Sequence, residues 1–162
     1  MLTDLLADPT TLQFIKLIVA MLLGGIIGTE RAILAKQAAG TRTFGLVALG
    51  SCLFVVIGMA VNGLVPGFSN ADPTRMAAAI VSGIGFLGAG LIIFRGDTLR
   101  GVTTAAGLWL AAGVGMAVGF GMFGIAIFST LLALIMFTGM WYVENKFKSW
   151  FDGHHIDHPE AV

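Results

Sequence analysis

Three short polar clusters contain the residues whose types and spacing could do chemistry. They are residues 28–31 together with 41–43, then 72–75, and finally 95–104. A carboxylate such as Asp72 or Glu30 could hold a hydrated divalent cation, because Mg²⁺ uses one or two carboxylates and keeps several waters. Arginine beside hydroxyl groups could instead bind phosphate or lipid headgroups. The residue types therefore favour ion or anion binding, and each cluster has to be weighed against a purely structural role.

The Asp72-Pro73 pair has an ordinary structural explanation. Aspartate at the N-cap, followed by proline at the first helical position, is common where helices begin. The same carboxylate could hold a cation at the mouth of a pathway, and the two roles are compatible. Arg75, three residues later, could pair with Asp72 and would then weaken a cation site. We favour the cap and keep Asp72 as the one candidate metal ligand.

No arrangement typical of an enzyme is visible in the sequence. There is no Ser/His/Asp or Cys/His set that would meet in one leaflet, and no ionisable pair is expected well inside an apolar stretch. Cys52 is expected to be a small buried residue. His154, His155 and His158 lie in a polar tail, where incidental metal affinity is expected rather than a built site. The sequence therefore predicts neither enzymatic activity nor a cofactor.

The composition narrows the class of protein. Of the 162 residues, 57% are hydrophobic and 11% are charged, against about 25% charged residues in soluble domains. The mean hydropathy of +0.92 excludes a disordered tail. Nine basic residues balanced by nine acidic ones exclude a dedicated nucleic-acid binder, and a single cysteine excludes a disulfide scaffold. The class that remains is an integral membrane protein, whose first partner is the lipid bilayer.

Five apolar stretches predict an all-α bundle of about five transmembrane helices. Each stretch is close to the ~20 residues that a helix needs to cross the hydrocarbon core, where the backbone must satisfy its own hydrogen bonds. The predicted spans are 11–28, 43–62, 76–94, 102–120 and 122–143. They form one transmembrane domain over residues 1–145, which is followed by a short amphipathic or polar cytoplasmic tail over 146–162.

The distribution of basic residues predicts the orientation. With five spans, seven basic residues fall on one side of the membrane and two on the other, and the more basic side is normally cytoplasmic. The N-terminus is then expected outside and the C-terminus inside. The seven are Arg31, Lys36, Arg42, Arg95, Arg100, Lys146 and Lys148, and the two are Lys16 and Arg75.

This orientation places the Glu30 carboxylate on the same side as four arginines. With Arg31, Arg42, Arg95 and Arg100 near it, Glu30 is expected to stay ionised. The favoured interpretation is a network of surface ion pairs, each worth little, and the alternative is a gate or a docking patch. Two groups could also bind phosphate or lipid headgroups, namely Arg42 with Thr41 and Thr43, and Arg100 with Thr103 and Thr104.

Stripes of small residues predict close contacts between helices. In span four Gly107, Ala111, Gly115 and Gly119 recur every fourth residue, which lets another helix approach closely in lipid. Packing within the bundle or across a dimer is favoured over a pore-lining or hinge helix. The run 83–88 matches the dinucleotide fingerprint, but its apolar setting without a preceding strand argues against nucleotide binding. The other predicted packing glycines are Gly24, Gly28, Gly83, Gly85, Gly88 and Gly90.

The polar clusters and the glycine run together resemble the MgtC/SapB family of membrane proteins. The resemblance extends over about residues 20–120 and rests on four segments in the same order and spacing: 25–31 with 39–43, then 72–75, 82–90 and 100–109. It implies a multi-pass protein of the bacterial inner (plasma) membrane, linked to adaptation to low magnesium, acid stress and survival inside host cells. Two activities are implied as alternatives, which are magnesium transport and regulation of membrane partners such as the proton-translocating ATP synthase. The chain is expected to be a short form without the soluble C-terminal domain of longer members.

The sequence leaves functions of different classes open. The leading one is a non-enzymatic protein of ion (magnesium) homeostasis or stress adaptation that modulates a membrane-protein partner. It is favoured because no ionisable residue is expected well inside a span, where ion pathways usually have one. The alternative is a small carrier or channel for Mg²⁺ or another ion, with Asp72 and Glu30 at its two mouths and with a homo-oligomer, a dimer by preference, to build it. A third is a phospholipid or phosphate sensor that uses Arg42 and Arg100.

Overall fold

Five helices and one short hairpin make up the residues that the computed structural model describes, namely 8–33, 39–64, 72–140, 142–143 and 146–147. The helices are α1 (Pro9–Ile33), α2 (Thr41–Leu64), α3 (Pro73–Leu91), α4 (Val102–Gly119) and α5 (Phe123–Leu134), and a π-helical turn (Ile135–Gly139) continues α5. The hairpin pairs strand β1 (Ile93–Arg95) with strand β2 (Thr98–Arg100) between α3 and α4. The chain is therefore mostly helical, as its sequence predicts.

Four of the described helices are long and apolar enough to cross a membrane. They cover Pro9–Ile33, Thr41–Val61, Pro73–Leu91 and Val102–Gly119, whereas the apolar segment Phe123–Gly139 is shorter. At 1.5 Å per residue that segment is about 25 Å long, a few Å less than a hydrocarbon core of about 30 Å. The predicted span 122–143 thus corresponds to α5 and the π-helical turn, after which residues 140 and 142–143 are again helical. At the other end of the chain, α1 continues five residues beyond the predicted span 11–28.

Helix α2 lies between α1 and α4 and is contacted by glycines from both. A Cβ atom added to Gly28 of α1 would lie 2.7 Å from the Cβ of Phe44, and one added to Gly107 of α4 would lie 2.9 Å from Cε1 of the same ring. One turn along α2, the backbone of Ala48 lies against Gly115 in the same way. Only a glycine permits such approaches, and van der Waals packing of this kind is what holds helices together in lipid.

The stripe of small residues on α4 packs within a single chain. Gly107, Ala111, Gly115 and Gly119 are all buried, and a Cβ at Gly119 would lie 2.7 Å from the Cβ of Val55 on α2. The stripe therefore forms the α2–α4 contact instead of lining an open path. The α1 glycines also pack against α2, and α1 contacts α4 directly, so that the core of the bundle is α1, α2 and α4.

Helix α3 is attached to this core along one side. Its buried residue is Gly88, where an added Cβ would lie 3.5 Å from the Cβ of Ala105 on α4. A Cβ at Gly83, Gly85 or Gly90 would meet nothing within 4 Å. The glycine run of α3 therefore divides, because Gly88 packs against α4 while the other three face open space among the described residues.

The hairpin between α3 and α4 was missed by the sequence-based prediction. Span three was expected to reach residue 94, but α3 ends at Leu91 and Ile92 is already extended. Gly96, with φ +61°, begins the two-residue loop that joins the strands, as tight hairpin loops require of their first residue. Gly101 follows β2 with φ +91° and lies against the Leu91 carbonyl group, so the chain turns directly into α4.

Two contacts show that α1 and α4 run antiparallel. The Lys16 ammonium group of α1 donates a hydrogen bond of 2.9 Å to the carbonyl oxygen of Gly119, the last residue of α4. At the other end of both helices, Arg31 contacts Thr104. The carbonyl groups of a last helical turn lack partners and form the negative end of the helix dipole, so the Lys16 charge stabilises the end of α4.

Several sequence predictions lie outside the described residues. These are most of the amphipathic tail over 146–162 with His154, His155 and His158, and the polar segment 34–38 with Lys36.

Candidate functional site

Two ionisable side chains are buried where the ends of α1 and α4 meet. Glu30 and Arg31 are 9% and 8% exposed, and Thr104 is 4% exposed. Glu30 and Arg31 belong to the last turn of α1, and Thr104 belongs to the first turn of α4. The antiparallel arrangement of the two helices brings these turns together at one end of the bundle. We call Glu30, Arg31 and Thr104 the buried polar cluster.

Arg31 joins three helical segments through its guanidinium group. Its Nη2 donates a hydrogen bond of 3.4 Å to the Thr104 hydroxyl. Its Cζ lies 4.9 Å from the centroid of the Phe137 ring, in the π-helical turn that follows α5. That separation is typical of a cation–π contact, which gains strength where water is excluded. The Arg31 side chain therefore connects α1 to α4 and to the end of the α5 segment.

The buried polar cluster contains two polar atoms without hydrogen-bond partners among the described residues. They are Oε2 of Glu30 and Nε of Arg31, and both are shielded from solvent. Buried polar atoms are nearly always paired, because an unpaired one costs about 1–3 kcal/mol. Oε2 of Glu30 is thus an open acceptor and Nε of the adjacent Arg31 is an open donor. Each can bind a ligand group of the opposite kind, such as a hydrated cation on Glu30.

The burial of this cluster corrects one prediction from the sequence. The favoured interpretation placed Glu30 in a network of surface ion pairs, whereas its side chain is buried in the last turn of α1. Helix α1 instead continues through both residues to Ile33, and Arg31 contacts Thr104 of α4 and the Phe137 ring. The sequence does not reveal this burial, because polar residues at the end of a span appear exposed until other helices pack against them.

The remaining basic residues at this end of the bundle are exposed. Arg42, Arg95 and Arg100 are accessible, as are Thr41, Thr43 and Thr103. The Thr29 hydroxyl donates a 2.8 Å hydrogen bond to the Gly25 carbonyl oxygen and lies 3.0 Å from the Thr41 hydroxyl. The structure thus separates two groups that the sequence placed together: Arg31 is buried with Glu30, whereas Arg42 and the hairpin arginines face outward.

Asp72 is the N-cap of α3. Its Oδ1 accepts hydrogen bonds from the Thr74 amide at 2.9 Å and from the Thr74 hydroxyl at 2.7 Å. These bonds, led by the one from the hydroxyl, lower the pKa of the exposed Asp72 carboxyl below its usual value. The exposed ionised carboxylate can bind a cation weakly, but its geometry is that of a helix cap. Asp72 begins α3 and Glu30 ends α1, so the two carboxylates lie at opposite ends of the bundle.

The possible metal ligands among the described residues do not form a group. No three His, Cys, Asp or Glu side chains come close enough together there to hold an ion. Any cation bound at Asp72 or Glu30 would therefore keep most of its waters, as Mg²⁺ commonly does.

Phe137 is the contact residue that the sequence-based prediction missed. The pattern that could have found it is on α5, where Ala126, Thr130 and Ala133 are buried at helical spacing and Phe137 falls next on the same face. This face packs the α5 segment against the core. The series predicts that Phe137 points inward, although it does not reveal that Arg31 lies beneath the ring.

These features define a helical membrane protein with a glycine-packed core and the buried polar cluster at one end. The model of the MgtC family matches residues 17–146. That match covers most of the 162 residues, and the chain therefore belongs to the MgtC family.

Individual relatives agree with this assignment. The chain is 52% identical to Protein MgtC of Brucella abortus over 90 residues, which are 56% of this chain and 35% of that protein. It is 45% identical to Protein MgtC of Salmonella typhimurium over 120 residues, 74% of this chain and 48% of the relative. An uncharacterized protein of Synechocystis is 41% identical over 123 residues, with coverages of 76% and 50%. The chain thus spans half or less of the length of these relatives, and no solved structure matches it.

Proposed function

We propose that this chain is a non-enzymatic protein of the bacterial inner membrane that modulates a partner membrane protein in magnesium homeostasis or stress adaptation. The link to magnesium and stress comes from the family. The observation that carries the partner role is the exposed side of α3, which presents small residues at helical spacing outside the packed core. The orientation with the N-terminus outside and the C-terminus in the cytoplasm belongs to the same proposal, and so does a fifth crossing by the α5 segment.

The exposed surface consists of Ala78, Ser82, Gly85 and Ala89, which we call the α3 stripe. All four residues are exposed, and their spacing of four, three and four places them on one face of α3. A comparable stripe of small residues on α4 is buried against α2 within this chain. Without a hydrophobic drive between helices in lipid, a face of this kind associates through close backbone packing. The α3 stripe is therefore suited to a transmembrane helix of a partner.

A pair of glycines in α3 gives a matched test. Gly85 lies in the α3 stripe and Gly90 on another face, and a Cβ at either would meet nothing within 4 Å. The tagged full chain would be recovered from native membranes in a mild detergent, and the proteins recovered with it would be identified. We expect Gly85→Leu to reduce the recovery of a specific membrane protein about tenfold and Gly90→Leu to leave it unchanged. Recovery of the wild-type chain without a partner, or equal losses in both variants, would contradict the proposal.

A second copy of this chain can also occupy the α3 stripe, and the dimer predicted from the sequence is tested separately. In Ser82→Cys, oxidation would link two stripes, whereas the native Cys52 is buried. A disulfide-linked product of twice the 16.9 kDa chain mass would show that the stripe binds itself. If that product forms while no other protein is recovered, the homodimer replaces the hetero-partner in the proposal.

The buried polar cluster favours a second candidate, a small oligomeric carrier or channel for Mg²⁺ or another ion. The specific observation is that Oε2 of Glu30 is buried without a hydrogen-bond partner among the described residues, because buried ionisable groups in membrane helices often mark ion pathways. Mg²⁺ flux into proteoliposomes tests it directly. Flux that falls in Glu30→Gln, and falls further with Asp72→Ala, would support a path through both ends. No flux in the wild type would remove this candidate.

A further inference from the structure

Two apolar grooves run along the outer surface of α2, one on each side. The first lies between α2 and α3, has a volume of about 840 Å³, and is lined along its length by residues such as Gly50, Phe54, Gly83 and Leu87. The second lies between α1 and α2, has a volume of about 570 Å³, and is lined by residues such as Leu22, Gly25 and Ile26. We call them the α2–α3 groove and the α1–α2 groove. Glycines in both walls keep them open.

Both grooves end at the same arginine. Arg42 lines each of them, and Leu46, one turn further along α2, forms the ridge between them and is 65% exposed. Hydroxyl groups border the Arg42 end on each side, from Thr43 in one groove and from Thr29 and Thr41 in the other. The exposed Arg42 and the nearby hydroxyl groups thus lie at the shared end of two apolar grooves, which the Leu46 side chain separates.

The dimensions of the grooves fit acyl chains. The α2–α3 groove follows α2 from Arg42 to Gly58, which at 1.5 Å per residue is about 24 Å. The α1–α2 groove follows α1 from Thr29 to Met21, which is about 12 Å. One leaflet of the hydrocarbon core is about 15 Å thick, half of roughly 30 Å. Each groove can therefore receive most or all of one chain that descends from the Arg42 end.

The charge at this end of the bundle favours an anionic headgroup. Among the described residues, the exposed charges that accompany Arg42 here include Arg95, Arg100 and Asp97 on the hairpin, which leaves an excess of positive charge. A guanidinium group binds phosphate oxygens through paired N–H donors. Basic residues at the membrane surface attract anionic lipids.

We propose that Arg42 and the two flanking grooves form a binding site for one anionic glycerophospholipid. The phosphate accepts hydrogen bonds from the Arg42 guanidinium group and from the Thr43 hydroxyl. One acyl chain lies in the α2–α3 groove, the other lies in the α1–α2 groove, and Leu46 lies between them. The site is separate from the α3 stripe and from the buried polar cluster, so it can be occupied while a partner helix is bound.

The test measures lipid retained by the purified full chain in native mass spectrometry. The probes are phosphatidylglycerol, phosphatidylcholine with identical acyl chains, and inorganic phosphate. Arg42→Gln removes the proposed phosphate ligand, and Arg95→Gln is the control because Arg95 is exposed at the same end and lines neither groove. Gly83→Leu fills the α2–α3 groove, and Gly90→Leu is its control. Thermal unfolding of each variant confirms that the chain is folded.

The expected result is preferential retention of phosphatidylglycerol by the wild type. Arg42→Gln should weaken that retention about fivefold, the contribution of one basic residue near an anionic surface, and Gly83→Leu should weaken it as well. Both control variants should bind as the wild type does. The partner recovery measured with Gly85→Leu is independent of these values, so the lipid site and the partner role can fail separately.

Three outcomes would overturn the lipid site. The first is equal retention of phosphatidylglycerol and phosphatidylcholine, which would indicate a nonselective lipid surface. The second is displacement of phosphatidylglycerol by inorganic phosphate with no effect of Gly83→Leu, which would indicate an anion site without bound chains. The third is a change of oligomeric mass in Gly83→Leu with unchanged lipid retention, which would assign the α2–α3 groove to a second protein chain.

Discussion

The guanidinium carbon of Arg31 lies 4.9 Å from the centroid of the Phe137 ring and thereby joins α1 to the π-helical turn that follows α5. Arg31 also donates a hydrogen bond to Thr104 at the start of α4. A single buried cation therefore holds three helical segments together at one end of the bundle. Four consequences of the structure can be measured.

Replacement of Phe137 should destabilise the bundle more than replacement of an exposed phenylalanine on the same segment. Phe137→Leu removes the cation–π contact, worth about 1–2 kcal/mol where the cation is desolvated, whereas Phe128 is exposed and Phe128→Leu is the control. Thermal unfolding in detergent measures both. In an Arg31→Gln background Phe137→Leu should destabilise the chain less, because the two side chains contact each other and their effects in a double-mutant cycle are then not additive. An unchanged cost there would mean that the ring acts through packing alone.

Adjacent threonines at the start of α4 should respond differently to the loss of a hydroxyl group. Thr104 is buried and accepts from Arg31, while Thr103 is exposed. Thr104→Val leaves the guanidinium group without this acceptor and should lower the free energy of unfolding by about 1 kcal/mol. Thr103→Val should change it little. Denaturant titration of the two variants side by side is the measurement, and equal stabilities would argue against the Arg31–Thr104 bond.

Two glycines of α4 should tolerate alanine in opposite ways. A Cβ at Gly115 would lie against the backbone oxygen of Ala48, whereas a Cβ at Gly113 would meet nothing within 4 Å. Gly115→Ala forces α2 and α4 apart and should cost about 3 kcal/mol or more, at or above the usual range for overpacking. Gly113→Ala should be neutral or stabilising by up to about 1 kcal/mol, because alanine favours helix. The folded fraction on size-exclusion chromatography, with melting temperatures, tests the pair. A stable Gly115→Ala protein would show that the close approach of α2 and α4 is incorrect.

The start of α3 should lose stability in acid. Because hydrogen bonds from Thr74 lower the pKa of Asp72 in the folded chain, the folded state binds fewer protons there than the unfolded state. This contribution is complete above the ordinary carboxyl pKa of about 3.9 and is lost as the pH falls through the lowered value. Asp72→Asn keeps a capping side chain but should remove this part of the pH dependence. Melting temperatures between about pH 2 and pH 6 measure it. A wild-type slope that persists in Asp72→Asn would assign the effect to other groups.

Much of the fold could be predicted from sequence because its physical causes are local. Apolar length identified the helices, and Asp72 followed by Pro73 identified the start of α3 from cap chemistry that needs no distant partner. The hairpin after Leu91 was missed because its strands are three residues each and continue an apolar stretch. The chain turns at Gly96 between the two strands and at Gly101 between β2 and α4.

The tertiary structure decided which of three similar residues are inside the protein. Glu30, Arg31 and Arg42 all appear in sequence as polar residues at a membrane edge, but the first two are buried while Arg42 stays at the rim of two grooves. The glycines of α4 and α3 appear equally suited to packing, but Gly107, Gly115 and Gly119 of α4 are buried against α2 while Gly83, Gly85 and Gly90 remain open. Residue type and spacing determine what a side chain can contact, and the arrangement of distant helices determines what it does contact.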